Sequence, residues 1–249
     1  MRLEAILALQ LGAGGILAAP SPAPRLAERA IQGGYRHGYY YSFWRDYQDV
    51  VYKNGDSGSY EVSWSSGGNF VAGVGRNPGT SGAISYSANF TSDGTSYLSL
   101  YGWTKGEHVR EYYILENFGK YNPAKGAKKM GEFESDGSVY DVYQALRVNA
   151  PSIKGTRTFP QYWSVRREKS SSGKVTIGNH FNAWKSMGMP LGTHDYQIVA
   201  TEGLYSQGHA AVQIQLEEDG EAGGDEGGEK PPPCHDGDDG DDGNGDCCQ

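Results

Sequence analysis

Eight consecutive residues, Glu111-Tyr112-Tyr113-Ile114-Leu115-Glu116-Asn117-Phe118, constrain this chain more than any other stretch. They are rich in aromatic and β-branched side chains and are closed by Gly119 and then Asn122-Pro123, so they read as a strand. Alternation sets Glu111, Tyr113 and Leu115 on one face and Tyr112, Ile114 and Glu116 on the other. An ionised carboxylate buried without a partner costs several kcal/mol or takes up a proton. A face carrying Glu111 and Tyr113 therefore suits a solvated groove better than a core. A second stretch, Asp195-Tyr196-Gln197-Ile198-Val199-Ala200-Thr201-Glu202-Gly203, has the same character and groups Tyr196, Ile198, Ala200 and Glu202 on one face. Two such faces, distant in sequence, are what a two-carboxylate sugar hydrolase needs. One Glu attacks the anomeric carbon, and the other protonates the leaving oxygen and later activates water.

The rest of the chain agrees with a sheet-rich fold. Asn54-Gly55, Asn77-Pro78-Gly79, Ser92-Asp93-Gly94 and Ser135-Asp136-Gly137 each interrupt an alternating or aromatic run. With 37 Gly and 18 Tyr in 249 residues and little helical periodicity, the pattern predicts antiparallel sheets packed as a sandwich or jelly roll. One short helix is expected over residues 179–187, with Phe181 and Trp184 three apart and Gly188 and Pro190 to stop it. Its His180 reads as a structural histidine. Residues 147–163 read as a hairpin with a polar tip at Gly155, flanked by Arg147 and Gln161.

Charge divides the chain. Residues 217–249 carry thirteen acidic residues against one Lys, whereas residues 1–216 carry 21 Lys and Arg against 17 Asp and Glu. The acidic, glycine-rich tail, split by Pro231-Pro232-Pro233, reads as disordered. Cys234, Cys247 and Cys248 all lie in that tail, so the body is expected to fold without disulfides. A metal site using His235 is disfavoured by ligand spacing, and the acidic repeats do not match a calcium-loop pattern. No metal, cofactor or nucleic-acid motif is found. Residues 1–19, with Arg2 and an apolar run ending in Ala18-Ala19, read as a secretory signal peptide that is too short and glycine-rich to span a membrane. Residues 20–33 read as a propeptide or loose arm, and residues 34–216 as the catalytic domain. The sequon Asn89-Phe90-Thr91 is usable if the chain is secreted.

Many segments in order resemble the family 11 glycoside hydrolases, small endo-β-1,4-xylanases. They include Gly38-Tyr39-Tyr40-Tyr41-Ser42-Phe43-Trp44, Gly68-Asn69-Phe70-Val71 and Tyr97-Leu98-Ser99-Leu100-Tyr101-Gly102-Trp103. Further along come Glu111 to Asn117, Ser135-Asp136-Gly137-Ser138-Val139-Tyr140-Asp141 and Arg147-Val148-Asn149 leading into Pro151-Ser152-Ile153. Gln161-Tyr162-Trp163-Ser164-Val165-Arg166, Asn179-His180-Phe181-Asn182-Ala183-Trp184 and the Asp195 stretch complete the match.

The resemblance implies an all-β jelly roll of two packed, strongly curved antiparallel sheets, with one short helix outside the sheet and a thumb hairpin over the cleft. It implies hydrolysis of internal β-1,4-xylosidic bonds with retention, Glu111 as nucleophile and Glu202 as acid/base. Glu111 would be kept ionised by Arg147 or by hydroxyls such as that of Tyr101. Trp44, Tyr101, Tyr113 and Tyr196 resemble the family's aromatic subsite residues, Pro151, Ser152 and Ile153 its thumb tip, and Arg147 and Gln161 sit beside the cleft. Asn69 corresponds to the neighbour of the acid/base, where Asn accompanies near-neutral optima. The implied partner is xylan, acted on by a secreted, extracellular monomer without membrane attachment. A xylan-binding protein with impaired turnover and a β-glucanase of a related jelly-roll family are the competing readings.

Two departures stand out. Gly106-Glu107-His108-Val109-Arg110 replaces the shorter Pro-Leu-Val or Pro-Leu-Ile of relatives before Glu111. Alternation turns Arg110 toward the core face, where a bulge or pairing with Glu107 would accommodate it. Arg76 stands where Trp is common and is expected to alter an outer subsite. Thr201, where an aliphatic residue is usual, reads as a minor change.

Overall fold

The computed structural model describes residues 30–65 and 67–217. The signal-peptide reading, most of the N-terminal arm, the three cysteines and nearly all of the acidic tail lie outside these residues. The first strands are β1 (Ala30–Arg36), β2 (Tyr39–Arg45), β3 (Val50–Asn54), β4 (Ser59–Trp64) and β5 (Asn69–Arg76). Then follow β6 (Ile84–Ser92), β7 (Thr95–Lys105), β8 (Arg110–Phe118), β9 (Lys128–Ser135) and β10 (Ser138–Ser152). The chain continues with β11 (Gly155–Arg166), β12 (Ser172–Val175), α1 (Ile177–Ser186), β13 (Thr193–Leu204) and β14 (Gly208–Leu216). Nine strands form one sheet in the order β1-β2-β5-β13-β7-β8-β11-β10-β9, and five form the other in the order β12-β6-β14-β4-β3.

The jelly-roll expectation holds, with one refinement. β8 and β11 pair in parallel, Glu111 opposite Gln161 and Tyr113 opposite Trp163. The 119–127 connection carries the chain past two strand positions before the β9–β10–β11 meander folds back, so β11 arrives beside β8 running the same way. The N-terminal boundary also moves: residues 30–33, assigned to the loose arm, are the first half of β1 and pair with β2. At the other end Glu217, assigned to the tail, bonds Lys174 and Ser85 on the body.

Alternation in the nine-stranded sheet sorts its side chains into two layers. Phe70, Val74, Leu98, Tyr112, Ile114 and Tyr162 fill the space between the sheets, with Val62, Trp64, Ile84 and Val212 from the five-stranded sheet. Tyr101, Trp103, Tyr113, Leu115, Trp163 and Ile198 cluster on the opposite face. Full burial of each large apolar side chain is worth about 1.5–3 kcal/mol, so a one-residue slip in register would be strongly disfavoured.

The helix starts two residues earlier than expected, and Ile177, His180 and Trp184 form its buried stripe. Its start is tied down by the β9–β10 turn: Asp136 accepts from the Thr176 backbone N–H at 2.8 Å and from the Thr176 hydroxyl at 2.6 Å. Trp184 packs against Tyr112 and Tyr162, which puts the helix on the face of the sheet away from Glu111. His180 is fully buried among Phe133, Tyr140 and Trp184, and burial pushes its imidazole down to about 3. That fits the structural role.

The departures resolve locally. The 106–109 turn, with Gly106 in the left-handed region at φ 84°, absorbs the longer connection, so Trp103 still faces Glu111 and Tyr101 still faces Tyr113. Arg110 does turn toward the inter-sheet side, and there its Nε donates to the Tyr162 hydroxyl at 3.0 Å. Neither a bulge nor Glu107 is the answer; the parallel neighbour strand supplies the partner. Arg76 corrects the subsite expectation. It follows Phe70, Ala72 and Val74 onto the inter-sheet face, where its guanidinium donates to Thr80 Oγ1 at 2.7 Å and to the Ala83 carbonyl at 3.1 Å. Thr201 is more than a neutral replacement: its hydroxyl lies 2.9 Å from the buried Tyr60 hydroxyl, joining the two sheets.

Glu116 supplies a second inter-sheet tie. It is 2% exposed, accepts from Tyr86 at 2.6 Å and Tyr140 at 2.7 Å, and lies 3.4 Å from Arg166 Nη1. Burial pushes its carboxyl above the ordinary range despite these three partners. Glu116→Ala should therefore cost about 3–5 kcal/mol in urea unfolding, because it strands two phenols and a guanidinium. Tyr86→Phe should cost about 1–3 kcal/mol.

Candidate active site

Residues directly opposite in a sheet share a face, and the pairing register builds this site row by row. Trp44 of β2 lies opposite Val71 of β5, Val71 opposite Glu202 of β13, and Glu202 opposite Tyr97 of β7. The next wall residues form a parallel row, with Ile198 opposite Tyr101, Tyr101 opposite Tyr113, and Tyr113 opposite Trp163. A third row sets Trp103 beside Glu111 and Glu111 beside Gln161. Both anticipated carboxylates thus reach one face from strands β8 and β13, which β7 separates.

Their surroundings are drier than the solvated groove expected from sequence. Glu111 and Glu202 are each only 8% exposed, because tyrosine and tryptophan rings from adjacent rows crowd around them. Glu111 is held on both oxygens. Tyr101 donates to Oε1 at 2.9 Å, Tyr113 lies 3.1 Å from Oε1, and the Gln161 amide donates to Oε2 at 2.6 Å. Desolvation pushes its carboxyl up, opposed by these hydrogen bonds and then by the charge of Arg147. The hydroxyls and the amide therefore outweigh Arg147, whose exposed side chain acts only through its field.

Glu202 lies 3.1 Å from the same Tyr113 hydroxyl. Desolvation, then the neighbouring Glu111, raises its carboxyl to about 8, with Tyr113, Asn69 and Arg147 pulling the other way. A phenol has one proton. If both glutamates were ionised, Tyr113 would turn a lone pair on one of them. The arrangement is satisfied when Glu202 keeps its proton and donates to the Tyr113 oxygen, and Tyr113 donates to ionised Glu111. Two carboxyls sharing a dry site cannot comfortably both ionise.

The other anticipated residues divide. Asn69 opens β5 beside Glu202, with its backbone N–H bonded to Asp46 at 2.6 Å. Tyr196 packs with Tyr101 and Tyr40, ring centroids 6.0 and 5.6 Å apart. Trp44 is half-buried on β2. In the hairpin of β10 and β11, Ile153 packs against the aromatic layer. Pro151 is exposed at the tip. The Ser152 hydroxyl is engaged by the turn itself, donating to the Gly155 carbonyl at 2.7 Å.

Sequence reasoning missed Tyr97, Trp103 and Trp163, which complete the walls. Trp103 Nε1 donates to the Tyr101 oxygen at 2.6 Å, and Trp163 Nε1 donates to Gln161 Oε1 at 3.1 Å. Each stands two positions from its partner on the same strand, a spacing that alternation makes into a same-face neighbour.

Among the described residues no group of three or more His, Cys, Asp or Glu is placed to hold a metal ion. No described helix is long and apolar enough to cross a membrane.

Comparison with known proteins identifies the family. The sequence model of glycosyl hydrolases family 11 matches residues 36–213. The chain is 57% identical over 182 residues to endo-1,4-beta-xylanase B of Phanerodontia chrysosporium, covering 73% of this chain and 62% of that relative. It is 55% identical over 178 residues to ethylene-inducing xylanase 1 of Botryotinia fuckeliana, covering 71% of this chain and 63% of the relative. The chain thus spans less than two thirds of the length of these two curated relatives. A solved structure from a comparison of two major endo-1,4-beta-xylanases of Trichoderma reesei superposes with a TM-score of 0.68 at 38% identity, covering 75% of this chain and 99% of that one. A family match over most of the described body, on a sheet that brings Glu111 and Glu202 to one hydroxyl, makes this chain a member of glycosyl hydrolase family 11.

Proposed function

We propose that the chain hydrolyses internal β-1,4-xylosidic bonds in xylan by double displacement with retained stereochemistry. The observation that carries the reading is the Tyr113 hydroxyl, placed 3.1 Å from each of two carboxylates. It keeps those oxygens at most about 6 Å apart, below the roughly 6.5–9.5 Å that an inverting pair needs for its water. Ionised Glu111, aimed by Tyr101, Tyr113 and Gln161, attacks the anomeric carbon. Protonated Glu202 gives its proton to the departing glycosidic oxygen. With the sugar attached, the charge on Glu111 is gone, the pressure that raised Glu202 falls, and Glu202 takes a proton from the water that releases the product.

The aromatic rows around the pair suit stacking on the flat faces of neutral sugar rings. Xylan as the polymer rests on the named relatives. The same reading makes the chain a secreted monomer. Asn89 of the sequon lies exposed on β6, where a glycan would meet solvent.

Release of reducing sugar from xylan, with carboxymethyl-cellulose and mixed-linkage glucan in parallel, tests the assignment. Glu111→Gln should lower turnover of xylan by at least about a thousandfold. An NMR time course of the wild type should show the retained anomer first; the inverted anomer would end the double-displacement reading.

Asn69→Asp should move the activity optimum to lower pH. The introduced carboxylate, when ionised, would sit against the proton-donating carboxyl of Glu202. Activity would then require both groups to be protonated, a state filled only in more acidic solution. An unchanged profile would remove Asn69 from the assignment.

Stability has its own signature. The folded-state value of Glu202 lies above its ordinary one, so the native state keeps this proton longer than the unfolded chain does. Stability is therefore fully present below the ordinary carboxylate range and is lost as pH rises toward about 8. Glu202→Gln should match wild type in urea unfolding near pH 4 and exceed it by on the order of 3–5 kcal/mol near pH 8. A constant difference across that range would contradict the proton assignment.

A further inference from the structure

We propose that Trp103 and Trp163 are positioning residues for Glu111, their indole N–H groups dictating which way the donors around that carboxylate point. The inference rests on the reading of Glu111 as nucleophile, and its test separates the two.

An indole N–H is a donor with no acceptor capacity. At 2.6 Å from Trp103 Nε1, the Tyr101 oxygen must therefore accept. Its single proton then goes to Glu111 Oε1, 2.9 Å away, a stronger acceptor than the other hydrogen-bond neighbour, the Tyr196 hydroxyl. The same logic fixes Gln161. The two ends of a glutamine amide have nearly the same shape, and only the hydrogen-bond partners decide which end points where. The atom 3.1 Å from Trp163 Nε1 must be the carbonyl oxygen. The amide NH₂ then faces Glu111 Oε2 at 2.6 Å.

A carboxylate selects donors for itself while it is charged. Once it is protonated or bonded to a sugar that preference vanishes, and the indoles still hold Tyr101 and Gln161 in place. The ionised form is then met by donors that need no reorientation, the property that makes fixed dipoles effective in a dry site.

Both rings are placed to do this rigidly. Trp103 and Trp163 are 3% and 4% exposed. Trp103 packs on Phe159 with ring centroids 5.0 Å apart, and Trp163 stacks on Tyr113 at 4.0 Å and 7°. The other groups that act on Glu111 are Tyr113 on its own strand, Arg147 on β10, and Glu202 and Tyr196 on β13. None of these four is bonded to either indole N–H; Tyr196 is linked to Trp103 only through the Tyr101 hydroxyl.

The test replaces Trp103 or Trp163 by 3-benzothienylalanine, which keeps the ring shape and puts sulfur in place of N–H, beside Trp103→Phe and Trp163→Phe. Two readouts are taken: carbon-13 titration of the Glu111 carboxyl in the free protein, and kcat/KM on xylan against pH. Each benzothienyl protein should show Glu111 titrating about 0.5–1 pH unit higher. The acid limb of kcat/KM should move with it, the basic limb should stay in place, and KM should change by no more than about twofold. The Phe variants, where folded, should shift in the same sense. Loss of activity or melting temperature with an unmoved Glu111 titration would reduce both tryptophans to packing and overturn the proposal. If the wild type fails to hydrolyse xylan, the functional reading falls while the carbon-13 titration still decides the role of the indoles.

Discussion

A carboxylate in an aromatic layer must be given donors or keep its proton, and that constraint shapes this molecule. Glu111 and Glu202 are both nearly closed off from water, yet they solve the problem in opposite ways. Glu111 collects Tyr101, Tyr113 and Gln161 from three different strands. Glu202 has fewer donors and a charged neighbour, and it stays protonated into the neutral range. The asymmetry follows from strand order: Glu111 lies between β7, which supplies Tyr101 from the adjacent row, and β11, which sets Gln161 directly opposite, whereas Glu202 faces the apolar Val71 on one side.

The inter-sheet layer works under the same constraint with a different outcome. Glu116, on the opposite face of the strand that carries Glu111, is met by Tyr86 from the other sheet and by Tyr140 and Arg166 from β10 and β11. The Tyr60 and Thr201 hydroxyls join the sheets one residue from Glu202. Each carboxyl face is thus backed by a polar tie between sheets, so β8 and β13 are anchored from behind at about the positions where chemistry would load them.

Much of this was legible in the sequence, and the misses share a cause. Alternation alone put Glu111 with Tyr113 and Glu202 with Ile198 on the right faces, since a two-residue period needs no tertiary information. The punctuated strands and the resemblance together carried the fold class. Alternation says which face a side chain takes but not how crowded that face is, so the pair is drier than expected. Partners set by strand pairing were also hidden. Arg110 finds Tyr162, and Gln161 finds Glu111, only because β11 lies parallel to β8. Arg76 was assigned to a subsite by analogy, while its own parity with Phe70 and Val74 already placed it on the far face. Trp103 and Trp163 were visible as same-face neighbours of Tyr101 and Gln161; their donor-only chemistry was the clue left unused.

The Tyr113 hydroxyl, placed midway between two carboxyls, has a bearing on timing. In a double displacement the negative charge belongs first to Glu111 and then, once the sugar is attached, to Glu202. A hydroxyl that can address either oxygen follows this transfer by turning about its own C–O bond, with no movement of ring or backbone. Trp163 stacked flat on that ring keeps the axle still while the rotor turns. Under the proposed double displacement the site would therefore reverse its polarity between the two halves of the reaction without repacking, which makes the rigidity of the surrounding aromatic layer compatible with two successive and opposite electrostatic demands.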